Sequence, residues 1–407
     1  MKKFLFLFLF FAFEISGALI DNRYLPLYRR QFDRYVDRKS GIGSNIFFLT
    51  GDKAINDDSK EIGIPEINGC YDLIKISKAL QTIGQPNPLK PEWRSAISLV
   101  PNLEGKITGQ GFWLGYEQNF LNNLSIGLSW YFLGVVNRQR FFITDKIRRE
   151  LHLTNEDEIE FDRELRNANN LLGLPYNEFA SKGMDDLDLY LRLGTVREYF
   201  YKFKRLDLGV TVGTLFPTAP ENNANNPVSV PLGGNGHWGL YGMIDATFEL
   251  KEDLIVGLWL EFLNRFPRTQ IVRMPINGEP QQYGAIVGPA RIEPGFTIGA
   301  SGYVAMADIR DGFGFQIRAT GVYHLEDDWK DVRCDQTIKT KLNPVIDRSS
   351  WIAQYITFSL LYDFTKTTKA RKFAPLVYLD WDMPVGTFYA NNFIKTNRIS
   401  FGFEFNF

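Results

Sequence analysis

Long stretches of strict alternation limit this chain to very few folds. Leu187, Leu189, Leu191 and Leu193 share one face of a strand, and Asp186, Asp188, Tyr190 and Arg192 share the other, because successive side chains point to opposite sides. Leu254, Val256, Leu258, Leu260 and Phe262 alternate with Gly257, Trp259, Glu261 and Arg265 in the same way, and Phe313, Phe315, Ile317 and Ala319 alternate with Gly314, Gln316, Arg318 and Thr320. From about Gly105 onward such strands run for about 12 to 15 residues. A globular strand averages about 5–6 residues, whereas a strand that crosses a bilayer needs about 9–11. A β-sandwich also alternates, but with shorter strands and its charges outward. In hydrocarbon only helices and closed barrels satisfy every backbone hydrogen bond. The expected fold is therefore all-β, a transmembrane antiparallel barrel.

Turn positions give the strand count. Short turns fall near Leu121-Asn122-Asn123, Lys202-Phe203-Lys204, Lys251-Glu252-Asp253, Ile309-Arg310-Asp311-Gly312 and Thr365 to Ala370. Long connections, about 51–104, 141–183, 218–236, 268–289 and 327–350, with a shorter one near 387–393, fall between them. Short periplasmic turns opposite long extracellular loops are the asymmetry of outer-membrane barrels. A first strand near Ile42–Thr50, five hairpins and a last strand at Lys395–Phe407 make about twelve strands; pairing Ser95–Pro101 into a further hairpin would make fourteen. Short helices are expected at Tyr71–Ile83 and within Asp145–Asn170.

The N-terminus bears on compartment. Lys2 and Lys3 precede an apolar run from Phe4 to Phe13 and then Ser16-Gly17-Ala18, the layout of a secretory signal peptide. Residues 1–18 are read as that signal, 19–41 as a periplasmic arm or lumen plug, and 42–407 as the barrel. The arm's basic residues, with Arg29, Arg30, Arg34 and Arg38 as the candidate plug, sit among apolar residues at helical spacing. Aromatics make up 15% of the chain, which suits a surface facing lipid with aromatic rims at headgroup level. The net charge of −1 leaves no basic surface to bind nucleic acid.

In the last strand Ile399, Phe401, Phe403, Phe405 and Phe407 form one face, with Ser400, Gly402, Glu404 and Asn406 on the other. This resembles the C-terminal signal of Gram-negative outer-membrane β-barrels: alternating apolar residues, a glycine and a terminal Phe. The resemblance implies export by the general secretory route, recognition by the barrel assembly machinery, and residence among outer-membrane lipid. The chain also resembles the FadL-like transporters of hydrophobic compounds in its length, pre-strand segment and glycine-rich strands, although it lacks their Asn-Pro-Ala/Ser box.

Parity assigns the polar wall to the lumen. It carries Glu117, Asp186, Asp188, Asp207, Asp245, Glu249, Glu261, Glu293, Asp363, Asp380, Asp382 and Glu404, with Arg192, Arg265, Arg291, Arg318 and Arg398. Carboxylate rings favour cations in pores, so a porin-like channel for small solutes with a cation-favouring lumen is expected, with a surface scaffold or adhesin as the alternative. His152, His237 and His324 sit beside no recognisable nucleophile motif, and no enzymatic activity, cofactor or metal site is expected. Cys70 and Cys334 both fall in long outer loops and form an expected disulfide.

Overall fold

The computed structural model describes residues 21–27, 40–121, 123–174, 177–199, 203–250, 253–367, 375–386 and 389–407. Twelve of its strands form one closed antiparallel barrel: β1 (Ser40–Gly51), β2 (Asn102–Leu121), β3 (Leu124–Phe142), β4 (Leu187–Glu198), β5 (Arg205–Phe216), β6 (Gly239–Glu249), β7 (Leu254–Arg265), β8 (Thr297–Arg310), β9 (Phe313–His324), β10 (Trp351–Asp363), β11 (Leu376–Pro384) and β12 (Asn397–Asn406). Each pairs with its sequence neighbour, and β12 returns to β1 with Phe405 opposite Ile42 and Ile399 opposite Phe48. Closure leaves no open edge. The fourteen-strand alternative is not realised, because Pro91–Ser95 forms a 3-10 turn and 96–101 forms no strand. Instead one extra strand, Glu178–Met184, pairs with the outer half of β3.

Alternation decides which side chain meets lipid. In β1, Ile46 and Phe48 are more than half exposed, while Asn45, Phe47 and Leu49 are buried. The outward residues continue sideways as a ladder, with Ile46 opposite Phe401 and Phe401 opposite Leu379. Val210, Val212 and Ile244 extend this exposed apolar band on other strands. An apolar band around a closed barrel, over a polar interior, is the pattern of a membrane-spanning barrel. No described helix is long and apolar enough to cross a membrane. Tight turns close one end: Asp311 and Gly312 both take positive φ (48° and 87°), as a two-residue hairpin turn that follows strand twist requires.

At the other end the long loops fold together. Helix α1 (Leu73–Thr82) starts at Asp72, which accepts from the Ile74 N–H, and helix α2 (Asn155–Leu171) starts at a capping box of Thr154 and Asp157. They pack with Tyr71, Trp93, Phe161 and Tyr283 into a hydrophobic core separate from the barrel wall. Both expected helical stretches are helical here. Cys70 and Cys334 are free and exposed, so the expected bridge is absent.

Candidate functional site: the lumen and its outer mouth

The inward wall divides into two sectors. On β1 to β3 the outer half of the interior is apolar, with Phe47, Leu49, Trp113, Tyr131, Leu133 and Val135 buried. Against it lies Asp21–Leu27, whose Leu25 and Leu27 are fully buried in the same cluster. Backbone groups hold this segment: the Ile394 N–H donates to Arg23 O at 3.0 Å, and the Thr396 hydroxyl to Tyr24 O at 2.7 Å. The candidate plug residues Arg29, Arg30, Arg34 and Arg38 lie outside the described residues.

The second sector is ionic. Arg192 grips Asp245 through Nε (2.9 Å to Oδ1) and Asp207 through Nη2 (2.7 Å), all three side chains nearly inaccessible. Arg265 reaches Asp186 at 2.7 Å, and Asp21 of the N-terminal segment at 2.7 Å. Asp382 accepts from Arg398 at 2.7 Å and from Arg318 at 3.3 Å, and the Thr357 hydroxyl completes it at 2.6 Å. Tyr hydroxyls serve other carboxylates: Tyr190 donates to Glu117 (2.9 Å) and Tyr241 to Asp188 (2.7 Å). Glu261, Asp380 and Glu404 are also buried on this wall. Charges removed from water persist only when paired and hydrogen-bonded, and these partners come from strands that parity alone does not bring together.

Some assignments differ from the sequence reading. Arg291 and Glu293 are exposed on the hairpin Arg268–Met274/Ile286–Glu293, which with Asp328–Asp331 forms a three-stranded sheet separate from the barrel, so barrel parity does not apply to them. Asp363 is only partly buried. Arg205 was missed: it is buried and pairs with Glu249 at 3.0 Å. It lies two residues before Asp207 on the same face, so parity could have found it, but its neighbourhood read as turn. The five inward arginines Arg192, Arg205, Arg265, Arg318 and Arg398 thus hold six carboxylates, and the wall is a set of clasped pairs and not a bare acidic ring.

Above the Arg265 cluster, between the N-terminal segment and the outer loops, lies a cavity of about 250 Å³. His237, His324 and Asp327 border it. His237 Nδ1 lies 2.9 Å from Phe266 O; burial, aided by the charge of Arg265, pulls the imidazole below its usual 6.5. Burial opposes ionisation of Asp327, but the His324 imidazole 3.0 Å away, the Gly295 N–H at 2.8 Å and Trp329 together more than offset it and hold the carboxyl below the usual carboxylate range. The Thr297 hydroxyl lies 2.7 Å from His324 Nδ1, which gives a hydroxyl–imidazole–carboxylate chain the sequence did not reveal. Thr297 is 1% exposed and does not border the cavity, so this hydroxyl has no access to a substrate there. Among the described residues no group of three His, Cys, Asp or Glu is placed to hold a metal ion.

No protein-family model matches the sequence, and no curated protein matches it. Solved structures that resemble the chain include the COG4313 outer membrane channel from Pseudomonas putida F1, at 13% identity and a TM-score of 0.49, covering 97% of this chain and 100% of that one. The translocator domain of autotransporter NalP from Neisseria meningitidis matches at 7% identity and a TM-score of 0.36, covering 91% and 88%. A Pseudomonas aeruginosa FadL homologue matches at 8% identity and a TM-score of 0.30, covering 91% and 89%. With every one of these scores below 0.5, the barrel assignment rests on the strand pairing described above.

Proposed function

We propose that this protein is a channel of the Gram-negative outer membrane, delivered by the general secretory route and inserted by the barrel assembly machinery, and that it passes small solutes. The observation that carries the reading is the Asp21–Arg265–Asp186 triad. It clasps a segment that is not part of the wall to the wall itself, directly below a cavity at the outer mouth. A barrel serving only as a surface scaffold needs no such removable occupant. At rest the segment and the inward ion pairs keep the path narrow, so the protein is a gated channel and not an open porin.

The test is single-channel conductance of the full chain in planar bilayers. Asp21→Asn weakens the clasp without touching a barrel strand, and it should raise the open fraction severalfold, since Arg265 keeps Asp186 as its other partner. Silence from both wild type and Asp21→Asn, with correctly folded protein, would leave the surface scaffold as the better reading.

The apolar sector favours a second reading. Leu25 and Leu27 occupy a surface of Phe47, Leu49, Trp113 and Leu133 that an apolar solute would fit equally well, as in passage of hydrophobic compounds. Liposome uptake of an apolar tracer well above that of a polar tracer of equal size would favour this reading.

A further inference from the structure

The mouth cavity is lined by cations that lack carboxylate partners among the described residues. Its lining carboxylates are already engaged: Asp21 by Arg265, Glu221 by Arg268 at 2.6 Å, and Asp327 by His324. Three lining arginines have no such partner among the described residues. Arg23 donates to Arg348 O at 2.9 Å and to Asn68 Oδ1, and Arg348 reaches only Pro344 O at 3.4 Å. Arg273 is 3% exposed, and its guanidinium meets three backbone carbonyls, those of Ala224, Gly284 (3.0 Å) and Leu172 (2.8 Å). Burial without a carboxylate beside it lowers Arg273 to about 10.

A buried charge normally has a counter-ion, because carbonyl dipoles recover only part of the lost hydration. A second lining group points the same way. Gln282 spends its amide N–H on Pro65 O at 2.9 Å and leaves Oε1 buried with no partner among the described residues. An unmet buried acceptor costs about 1–3 kcal/mol, and a hydroxyl donor would satisfy it. Pockets for drug-sized ligands run about 300–1,000 Å³, so a cavity of about 250 Å³ restricts the occupant to a small molecule.

We infer that the mouth cavity is a binding site for a small hydroxylated organic acid, its carboxylate neutralising Arg273 with Arg23 and Arg348, and a hydroxyl serving Gln282. That the bound acid also lies in the solute path rests on the channel reading; binding itself does not. Because the wall below is acidic, the bound anion should sit at the mouth and obstruct the current.

The probes are gluconate and, as its uncharged counterpart, sorbitol, with inorganic phosphate as a simple anion. Trp329 and Trp351 line the cavity, so the full chain in detergent should give a saturable change in tryptophan emission with gluconate and none with sorbitol. Arg273→Gln should weaken gluconate binding by about tenfold or more, one such step being about 1.4 kcal/mol. Arg348→Gln, at a less buried position, should weaken it severalfold and covers the case in which Arg273→Gln does not fold. Binding of sorbitol equal to that of gluconate, unchanged affinity in folded Arg348→Gln and Arg273→Gln, or phosphate binding as tight as gluconate would each overturn the assignment. In bilayers gluconate added at the loop side should block the current. Binding without any conductance would sink the channel reading and leave the site intact, whereas conductance without binding would do the reverse.

Discussion

Single residues decide whether the ionic wall can assemble. Arg192 reaches Asp207 and Asp245 only because the neighbouring strand presents Gly209 beneath it; a Cβ there would lie 2.2 Å from Arg192 Cζ. Gly209→Val should therefore displace the guanidinium and strand two buried carboxylates, a loss of about 3–5 kcal/mol. Gly242→Ala is the matched control, since a Cβ at Gly242 meets nothing within 4 Å. Heat-modifiable migration on gels reads both: the Val variant should lose its folded band at a clearly lower temperature, and the Ala variant should follow wild type. Equal behaviour would mean that the pair contributes nothing to the wall. At this scale the sequence was half legible. Asp186, Asp188, Arg192 and Glu261 face inward as parity requires, because a one-residue slip would send charge into lipid. Which carboxylate each arginine takes was not legible, since Arg192 and Asp245 lie 53 residues apart. Nor was the Thr297–His324–Asp327 chain, which depends on a partner from the adjacent strand.

Elements were legible in proportion to the length of their alternation. β4, β7 and β9 fall where their patterns put them, and even the weakly alternating first strand exists, as Ser40–Gly51. The strand Glu178–Met184 was not foreseen, because it pairs only with β3 above the level where β4 takes over and faces solvent on one side. The same holds for the Arg268–Glu293 hairpin, whose alternation is real but belongs to another sheet. β12 is the element on which closure depends. It forms the seam with β1, and at its end the N–H groups of Ser40 and Phe407 each donate to the other's carbonyl at 2.8 Å. The Phe407 ring is more than half exposed, so packing in the finished barrel does not hold it, and we propose that the assembly machinery reads it. Phe407→Asp should then lower the amount of heat-modifiable barrel in outer-membrane fractions while leaving the melting temperature of the purified, refolded barrel within a few degrees of wild type. Unchanged yield in the membrane would remove the assembly-signal assignment.

For the whole molecule the question is the sign of the interior. Ten inward carboxylates (Glu117, Asp186, Asp188, Asp207, Asp245, Glu249, Glu261, Asp380, Asp382 and Glu404) face the five inward guanidiniums. Among the described residues pairing reduces this imbalance but does not cancel it, and these wall groups sum to an excess of negative charge. The mouth above has the opposite sign, with Arg23, Arg273 and Arg348 lacking carboxylate partners among the described residues. On the channel reading proposed above, such a change of sign from mouth to wall would admit cations and hold an anion at the entrance. Fields from the wall extend over about a Debye length, about 10 Å at 0.1 M salt and about 3 Å at 1 M. Reversal potentials under a potassium chloride gradient should therefore give a cation preference that shrinks as the mean salt concentration rises. Asp188→Asn removes a carboxylate that the Tyr241 and Ser129 hydroxyls hold, and it should weaken the preference modestly. Asp186→Asn should weaken it further, because it leaves Arg265 with Asp21 as its remaining carboxylate partner and less of its positive charge offset. An anion preference at low salt, or a ratio that stays constant between about 0.1 M and 1 M, would mean that these carboxylates do not set the field that permeating ions feel.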